Sequence, residues 1–485
     1  MGDVIRPGEE LWTPATDGMS RRKFLTRGAA LGGGLFAGSS LLAACGGGGG
    51  SSKTATLEFW QWYSPAKGGD YLVQAQSDWF GKVVEEWNRK GKNPVKLRFI
   101  PISQYISGTQ LQAAFSARKG PDIFVISPGD FLRYYNAGIL YDMTDALGAA
   151  KADFYASAMG TRTVDGRVYG IPMENEPVLM YYSTRAFEKA GLSEADVPKT
   201  WEQLLDVAGK LTSGKQYGLL FETTPNVYQN FTWYPFLWQA GGDVVDRSGK
   251  KSVFDSAAAV KALTLWQEAT KSKVAPRTVQ GGGGGDLVAN LAGGYAAMAE
   301  MVTAGAAFLD SGAKDFEYGV FPLPSPAADG QPVTIMGGWA WCVNKNGRNP
   351  EAAAEFCAWA IASDESRDRM ADWAFNAKRS MPTRKSVMQK GADDGVFEKD
   401  EIMRIGAFDV MGLKPDQLDS DDTPFARGEP RYTPEVVKAV TDAIQAAQLK
   451  GEDPAGVAQR THERIGNLLS SYNGAPLGNG TAQRT

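Results

Sequence analysis

The sequence predicts an α/β protein with doubly wound sheet architecture and more than one lobe. Three observations carry this. Strand patterns alternate with helical patterns from residue 54 onward, one strand is apolar on both faces, and 485 residues suffice for two or three domains.

The elements follow in order. Ala55-Thr56-Leu57-Glu58-Phe59-Trp60 alternates as a half-buried strand, and a helix is expected over Asp78 to Arg89. Val95 to Ile100 alternates again between Pro94 and Pro101. A helix over Gly108 to Ala117 leads into Pro121-Asp122-Ile123-Phe124-Val125-Ile126, a run of buried parallel-strand type. In such sheets ligands bind beyond the carboxyl ends of the strands. Further on, Thr200-Trp201-Glu202-Gln203 is a capping box before Leu204, Val207, Ala208 and Leu211 at helical spacing. Asp255 or Ser256 caps another helix, with Ala259, Leu263, Trp266 and Thr270 on one face. The run Gly281 to Gly285 invites a phosphate-loop reading, but no Gly-Lys-Ser/Thr follows, so it reads as a flexible connector. Residues 471–485, rich in Gly, Asn and Thr, read as a disordered tail.

Composition narrows the chemistry. With 43% hydrophobic, 22% charged and 11% aromatic residues the chain has ample core material, and a formal net charge of −4 offers no basic field for nucleic acid. The single histidine, His462, cannot supply a zinc cluster or a Ser-His or Cys-His nucleophile system, so no metal, cofactor or catalytic residue is expected. Beyond Cys45 the chain has Cys342 and Cys357. A disulfide is permitted in an exported protein, and two buried thiols are the alternative.

The first fifty residues speak of export. Ser20-Arg21-Arg22-Lys23-Phe24-Leu25 precedes an apolar segment, Ala29 to Ala44, that is too short and glycine-broken for a comfortable membrane span. It ends on Leu42-Ala43-Ala44-Cys45, which resembles a bacterial lipobox in which the cysteine is lipidated. Residues 1–45 thus read as a twin-arginine lipoprotein signal and 46–53 as a flexible Gly/Ser tether. Two or three acyl chains, at roughly 0.8 kcal/mol per buried CH₂, would hold the body at the outer face of the cytoplasmic membrane, on the cell surface or in the periplasm.

A denser set of motifs lies in the body. Gly166-Arg167-Val168-Tyr169-Gly170-Ile171-Pro172 is followed by Met173-Glu174-Asn175-Glu176-Pro177, Leu179-Met180-Tyr181-Tyr182-Ser183, Lys189-Ala190-Gly191 and Pro198-Lys199-Thr200-Trp201. Pro121-Asp122-Ile123 precedes this block; Ala240-Gly241-Gly242-Asp243, Leu291 to Met298, Met336-Gly337-Gly338-Trp339 and Pro382-Thr383-Arg384 follow it. In this order they resemble the family 1 extracellular solute-binding proteins of ABC importers, the group that includes the maltose-binding protein. Ser183 and Gln203 stand where the family has Asn and Glu.

The resemblance implies a two-lobed periplasmic-binding-protein-like fold, with a ligand cleft between lobes joined by crossover hinge strands. Its boundaries would be 54–170 with 294–343 for lobe 1 and 171–293 with 344–470 for lobe 2, with Pro172 to Pro177 as first hinge. A sugar presents apolar C–H faces and a rim of hydroxyls, so its site needs aromatic platforms and planar polar partners. The positions that the resemblance offers are Trp62, Tyr63, Tyr105, Ser127, Asp130, Glu174, Asn175, Trp233, Tyr234, Thr303, Gly338, Trp339, Arg379 and Arg431. Asp130 has a competing reading as a helix N-cap, and Trp60, Trp201 and Trp266 are assigned to packing.

The implied function is a monomeric, lipid-anchored receptor that captures a mono- or oligosaccharide and delivers it to ABC permease subunits without acting on it. The alternatives are a receptor for a glycerophosphodiester, with Arg431 and Arg379 on the phosphate, or for an amino sugar or polyamine, with Asp130, Glu174 and Glu176 on the cation. A lipoprotein glycoside hydrolase is the rival from another class.

Overall fold

The computed structural model of the protein describes residues 55–65, 74–91, 93–106 and 109–478. The signal, Cys45 and the 46–53 tether lie outside the described residues. The strands in chain order are β1 (Leu57–Gln61), β2 (Val95–Phe99), β3 (Ile123–Ile126), β4 (Thr163–Val164), β5 (Arg167–Val168), β6 (Ile171–Pro172), β7 (Glu176–Ser183), β8 (Met298–Val302), β9 (Tyr318–Phe321), β10 (Thr334–Gly337), β11 (Ala340–Val343) and β12 (Ala426–Gly428).

Two five-stranded sheets form two lobes. The first has the order β2-β1-β3-β11-β6, with β1 parallel to β2 and β3, and β11 antiparallel to β3 and β6. Its centre is where sequence demands it: all four residues of β3 are buried, as an apolar run between two neighbours requires. The second has the order β12-β10-β7-β8, with β9 also on β7. All eight residues of β7 are buried.

The chain passes between the sheets at 172–176, from β6 to β7, and again at 337–340, from β10 to β11. A third strap lies beside the first, where Asn175 and Met381 exchange backbone hydrogen bonds of 2.8 and 2.9 Å.

This pairing corrects the expected lobe boundaries. Residues 294–337 do not join lobe 1, because β8 and β9 both pair antiparallel with β7 and β10 closes on β12. Residues 350–378 conversely leave lobe 2. Phe356, on helix Pro350–Ile361, stacks on Trp341 of β11 at 5.7 Å, and Trp373 packs on Trp79 of helix Gln74–Arg89 at 4.8 Å. The later helices Pro434–Gln448 and Pro454–Ser470 do stay in lobe 2, where they cover helix Ala257–Lys271. The motifs are local and correctly ordered, but which sheet a strand joins is a long-range pairing that motif order does not encode.

Local readings fare better. Thr200 caps helix Trp201–Leu211 by accepting from Gln203 N, while the Gln203 side chain accepts from Lys199 N rather than from Thr200. Ser256, not Asp255, caps helix Ala257–Lys271. Cys342 and Cys357 are free, buried thiols.

Two expectations of flexibility need correcting. Gly284 N donates to Glu222 Oε2 at 2.7 Å, so a buried carboxylate holds the glycine run. Within the expected tail, Ala475 and Leu477 are buried and Gly478 bridges to Arg431, because this stretch supplies apolar cover and backbone partners to the body.

Candidate functional site

The loop after β1 is fixed by Gln61, whose side-chain oxygen accepts from Tyr63 N at 2.6 Å and Ser64 N at 2.7 Å. That turn sends Trp62 and Tyr63 toward the crossover strands. The Trp62 ring meets Trp339 edge-on at 4.4 Å, so the carboxyl end of β1 and the second crossover share one aromatic surface. Gly338 adopts φ +117, and a Cβ there would run into the Glu174 carbonyl. The two crossovers therefore touch only because residue 338 is glycine.

Glu174 and Glu176 flank the first crossover with Lys378 against them. The Lys378 ammonium lies 3.1 Å from Glu176 Oε1 and 3.9 Å from Glu174 Oε1. It also sits 5.6 Å from the Tyr63 ring centre in lobe 1 and 5.8 Å from that of Phe308 in lobe 2. The other oxygen of Glu174 accepts from Trp373 Nε1 at 2.8 Å. Burial pushes the Glu174 carboxyl well above its ordinary range; Lys378 opposes this and Glu176 adds to it.

Farther out, Glu429, which follows β12, accepts from Gly129 N at 3.1 Å at the first turn of helix Pro128–Asn136, so lobe 2 is hydrogen-bonded to lobe 1 there. Burial pushes the Glu429 carboxyl up to about 8 against the pull of Arg162. Arg162 Nη2 donates to Gly338 O at 2.7 Å.

Several buried polar atoms here find no hydrogen-bond partner within the protein: the Tyr63 hydroxyl, Glu174 Oε1, the Thr303 hydroxyl and the Ser380 hydroxyl. All belong to residues at most 1% exposed. Thr303 N bonds Pro177 O, next to Glu176, and Ser380 precedes Met381, the partner of Asn175. They therefore group around the first crossover. Orphaned groups of this kind are uncommon in native interiors and mark functional surfaces.

The structure sorts the expected contacts. Trp62, Tyr63, Glu174, Gly338 and Trp339 come together, and Thr303 joins them. Tyr105 packs edge-on to Trp62 at 4.8 Å, but its hydroxyl is spent on Trp60 O and Val125 N, tying β1 to β3. Asn175 gives its side-chain amide to Pro382 O. Ser127 stands at the N-cap of helix Pro128–Asn136 without a side-chain cap bond; Asp130 lies inside the first turn and pairs with Arg133 at 3.2 Å.

Trp233 and Tyr234 do not form an aromatic shelf. Both are buried in lobe 2, against Phe254 and Trp238 respectively. On helix Val227–Gln239 Trp233 lies on a different face from Tyr228 and Phe231, which stack on each other at 6.0 Å and of which Phe231 reaches Gly337 at the second crossover. The two arginines are engaged elsewhere. Arg379 pairs with Asp310 and Asp400; Arg431 donates to Pro476 O at 2.9 Å and Thr163 O at 2.6 Å.

Sequence reasoning missed Lys378, Trp373, Tyr228, Phe308 and Glu429. The one available signal was the spacing of Trp373 and Lys378 just before Pro382-Thr383-Arg384. Among the described residues no group of three or more His, Cys, Asp or Glu side chains could hold a metal ion. No helix among them is long and apolar enough to cross a membrane.

Two sheet lobes joined by crossovers, with unsatisfied polar groups and tryptophans at the junction, define a binding protein that holds a solute between lobes. The chain belongs to the bacterial extracellular solute-binding proteins, whose family profile matches residues 82–404. It is 28% identical over 315 residues to a probable ABC transporter-binding protein of Deinococcus radiodurans, covering 61% of this chain and 71% of that one. It is 23% identical over 299 residues to an arabinooligosaccharide-binding protein of Bacillus subtilis, covering 60% and 67% respectively. The solved tagatose-bound solute-binding protein of Thermotoga lettingae superposes with a TM-score of 0.69 at 23% identity, over 86% of this chain and all of that one. That likeness shows the two-lobed fold.

Proposed function

We propose that this protein is the substrate-binding lipoprotein of an ABC importer and that it captures a small carbohydrate between its lobes for delivery to the permease. The observation that carries the reading is the group of buried, unpartnered hydroxyl and carboxyl oxygens at the first crossover, set beside the Trp62 and Trp339 rings. A polyhydroxyl ring supplies donors and acceptors for those atoms and an apolar face for the indoles. The named ligands of the relatives, an arabinooligosaccharide and tagatose, support the same class. Against a phosphodiester, Arg379 and Arg431 are both held by protein partners away from the crossovers.

No chemistry is done on the ligand. Glu174 and Glu176 are two residues apart and share Lys378, an arrangement for holding hydroxyls rather than for flanking a scissile bond. Cys45 is the lipid attachment point, and one chain serves one permease. Calorimetric titration of a panel of mono- to tetrasaccharides tests the receptor, with saturable binding expected for one member. Absence of binding to all sugars together with stabilisation by glycerophosphocholine would replace the carbohydrate reading. Membrane fractionation of Cys45→Ala tests the anchor, and a variant still in the membrane would refute it.

A further inference from the structure

The last described residues join the lobes again, away from the crossovers. Helix Pro454–Ser470 packs within lobe 2, on helix Pro434–Gln448. The segment that leaves it, residues 471–478, first crosses to lobe 1. There the Tyr472 hydroxyl accepts from Asn136 Nδ2 at 3.0 Å, at the end of helix Pro128–Asn136, and donates to Ala475 O at 2.8 Å. Arg431 then returns the segment to lobe 2. Its backbone exchanges hydrogen bonds of 3.0 Å with Gly478 in both directions, and its Nε donates to Pro476 O at 2.9 Å. Leu477 is 4% exposed and lies against Gly249, in the turn between Val245 and Ser252.

The path is closely fitted at both ends. A Cβ at Gly474 would press on the Tyr472 hydroxyl and on Asn136 Oδ1, and one at Gly249, where φ is +67, would run into the Leu477 backbone. The two attachments differ in strength. On lobe 2 the segment has backbone pairing and a buried leucine. On lobe 1 the hydrogen bond comes from an exposed side chain, Asn136, and a cavity of about 560 Å³ opens between residues 473–476 and Tyr135, Asp165, Tyr169 and Lys345. The segment is therefore anchored to one lobe and only caught on the other.

The place of the catch gives it leverage. Ile126, at the carboxyl end of β3, pairs with Ala340 at the second crossover, whereas Leu140 bridges to Asn344 at the far end of β11. Helix Pro128–Asn136 runs between these ends, so Asn136 lies about 10 Å along it from Gly129, where Glu429 joins the lobes nearer the crossovers. Rotation about the crossovers parts the lobes most at points far from them, and a tie at Asn136 opposes that rotation with a long lever.

We propose that residues 471–478 are a catch for the closed state: held on lobe 2, they grip lobe 1 at Asn136 when the lobes meet and let go when they part, and so set how far the solute-free protein stays closed. This rests on the reading of the protein as a receptor that holds a solute between lobes, and not on which solute it takes.

The test is the distance between spin labels on the two lobes, measured on the solute-free full chain in a Cys45→Ala background. Labels at Lys119→Cys in lobe 1 and Lys210→Cys in lobe 2 sit on exposed positions, and the buried Cys342 and Cys357 stay unlabelled. The intact segment is expected to give the shorter, closed separation as the main population. Tyr472→Phe removes the hydroxyl that joins Asn136 to Ala475 and is expected to raise the ratio of open to closed about fivefold, the worth of one hydrogen bond. Ending the chain at Ser471 is expected to raise it further; if that variant does not fold, Tyr472→Phe decides. Because no sugar is present, a panel in which no sugar binds would remove the carbohydrate reading and leave these distances standing. An open main population with the segment intact, or an unchanged distance distribution in Tyr472→Phe, would overturn the catch.

Discussion

Replacing Lys378 with methionine is the most informative single perturbation. The ammonium lies 3.1 and 3.9 Å from Glu176 and Glu174 at a side chain only 6% exposed. Breaking one half of a buried ion pair typically costs about 3–5 kcal/mol. Here the cost must depend on pH. The Glu174 carboxyl is raised from 4.5 to about 8, first by burial, with Lys378 the largest opposing influence. A group whose folded pKa exceeds its unfolded one binds more protons when folded. Its contribution to stability is full below the unfolded pKa and is lost as pH rises through the folded value.

Without Lys378 the Glu174 carboxyl must stay protonated to still higher pH in the folded state, while the unfolded chain ionises as before. Below about pH 8 both proteins hold the Glu174 proton; above it the gap widens by about 1.4 kcal/mol per pH unit, or roughly 2 kcal/mol between about pH 8 and pH 9.5. Urea unfolding of wild type and variant, followed by tryptophan fluorescence at those two pH values, measures it. A deficit larger by about 2 kcal/mol at the higher pH than at the lower is expected. Equal deficits at both would refute the coupled ion pair.

Other outcomes follow from the same geometry. Gly338→Ala places a Cβ against the Glu174 carbonyl at φ +117, so a loss of about 3 kcal/mol or more is expected in thermal or urea unfolding; a melting temperature unchanged within error would contradict the close crossover. Glu429→Gln keeps a hydrogen bond to Gly129 N but removes a carboxyl raised to about 8, so the fall in stability of the ligand-free protein between about pH 5 and pH 8 should become shallower; an unchanged pH slope would show that Glu429 does not titrate as described. Cys342 and Cys357 are fully buried, and burial pushes the Cys342 thiol up to about 12, so a thiol reagent should reach both only in denaturant; failure to label them after unfolding without reductant would reveal a disulfide.

What was legible in the sequence divides by range. Helix caps at Thr200 and Ser256 and the buried run of β3 depend on a few neighbouring residues, so local chemistry writes them plainly. Trp62, Tyr63, Glu174 and Trp339, which the structure brings together, could be put forward because strand ends and crossovers carry recognisable motifs. Lys378 and Phe308 were not, since each reaches the crossover from a helix whose packing is fixed by distant strands. The misplacement of Trp233 has a different cause. On a helix buried on most sides, hydrophobic periodicity does not say which aromatic faces which neighbour, and Phe231 rather than Trp233 reaches the crossover. Arg379 and Arg431 illustrate the remaining gap: an arginine's partners depend on acids and carbonyls far away in sequence, here Asp310, Asp400, Thr163 and Pro476.

The central claim is that solute is held at the crossovers by Glu174 and the Trp62–Trp339 surface. The direct test is the affinity of the best-binding sugar for Trp339→Ala set beside that for Arg379→Gln, each with its melting temperature checked. Truncating a central aromatic anchor typically costs about 2 kcal/mol or more, a weakening of roughly thirtyfold, while Arg379, held by Asp310 and Asp400, should leave affinity unchanged. Wild-type affinity in Trp339→Ala, with loss in Arg379→Gln, would place the solute elsewhere and contradict the account.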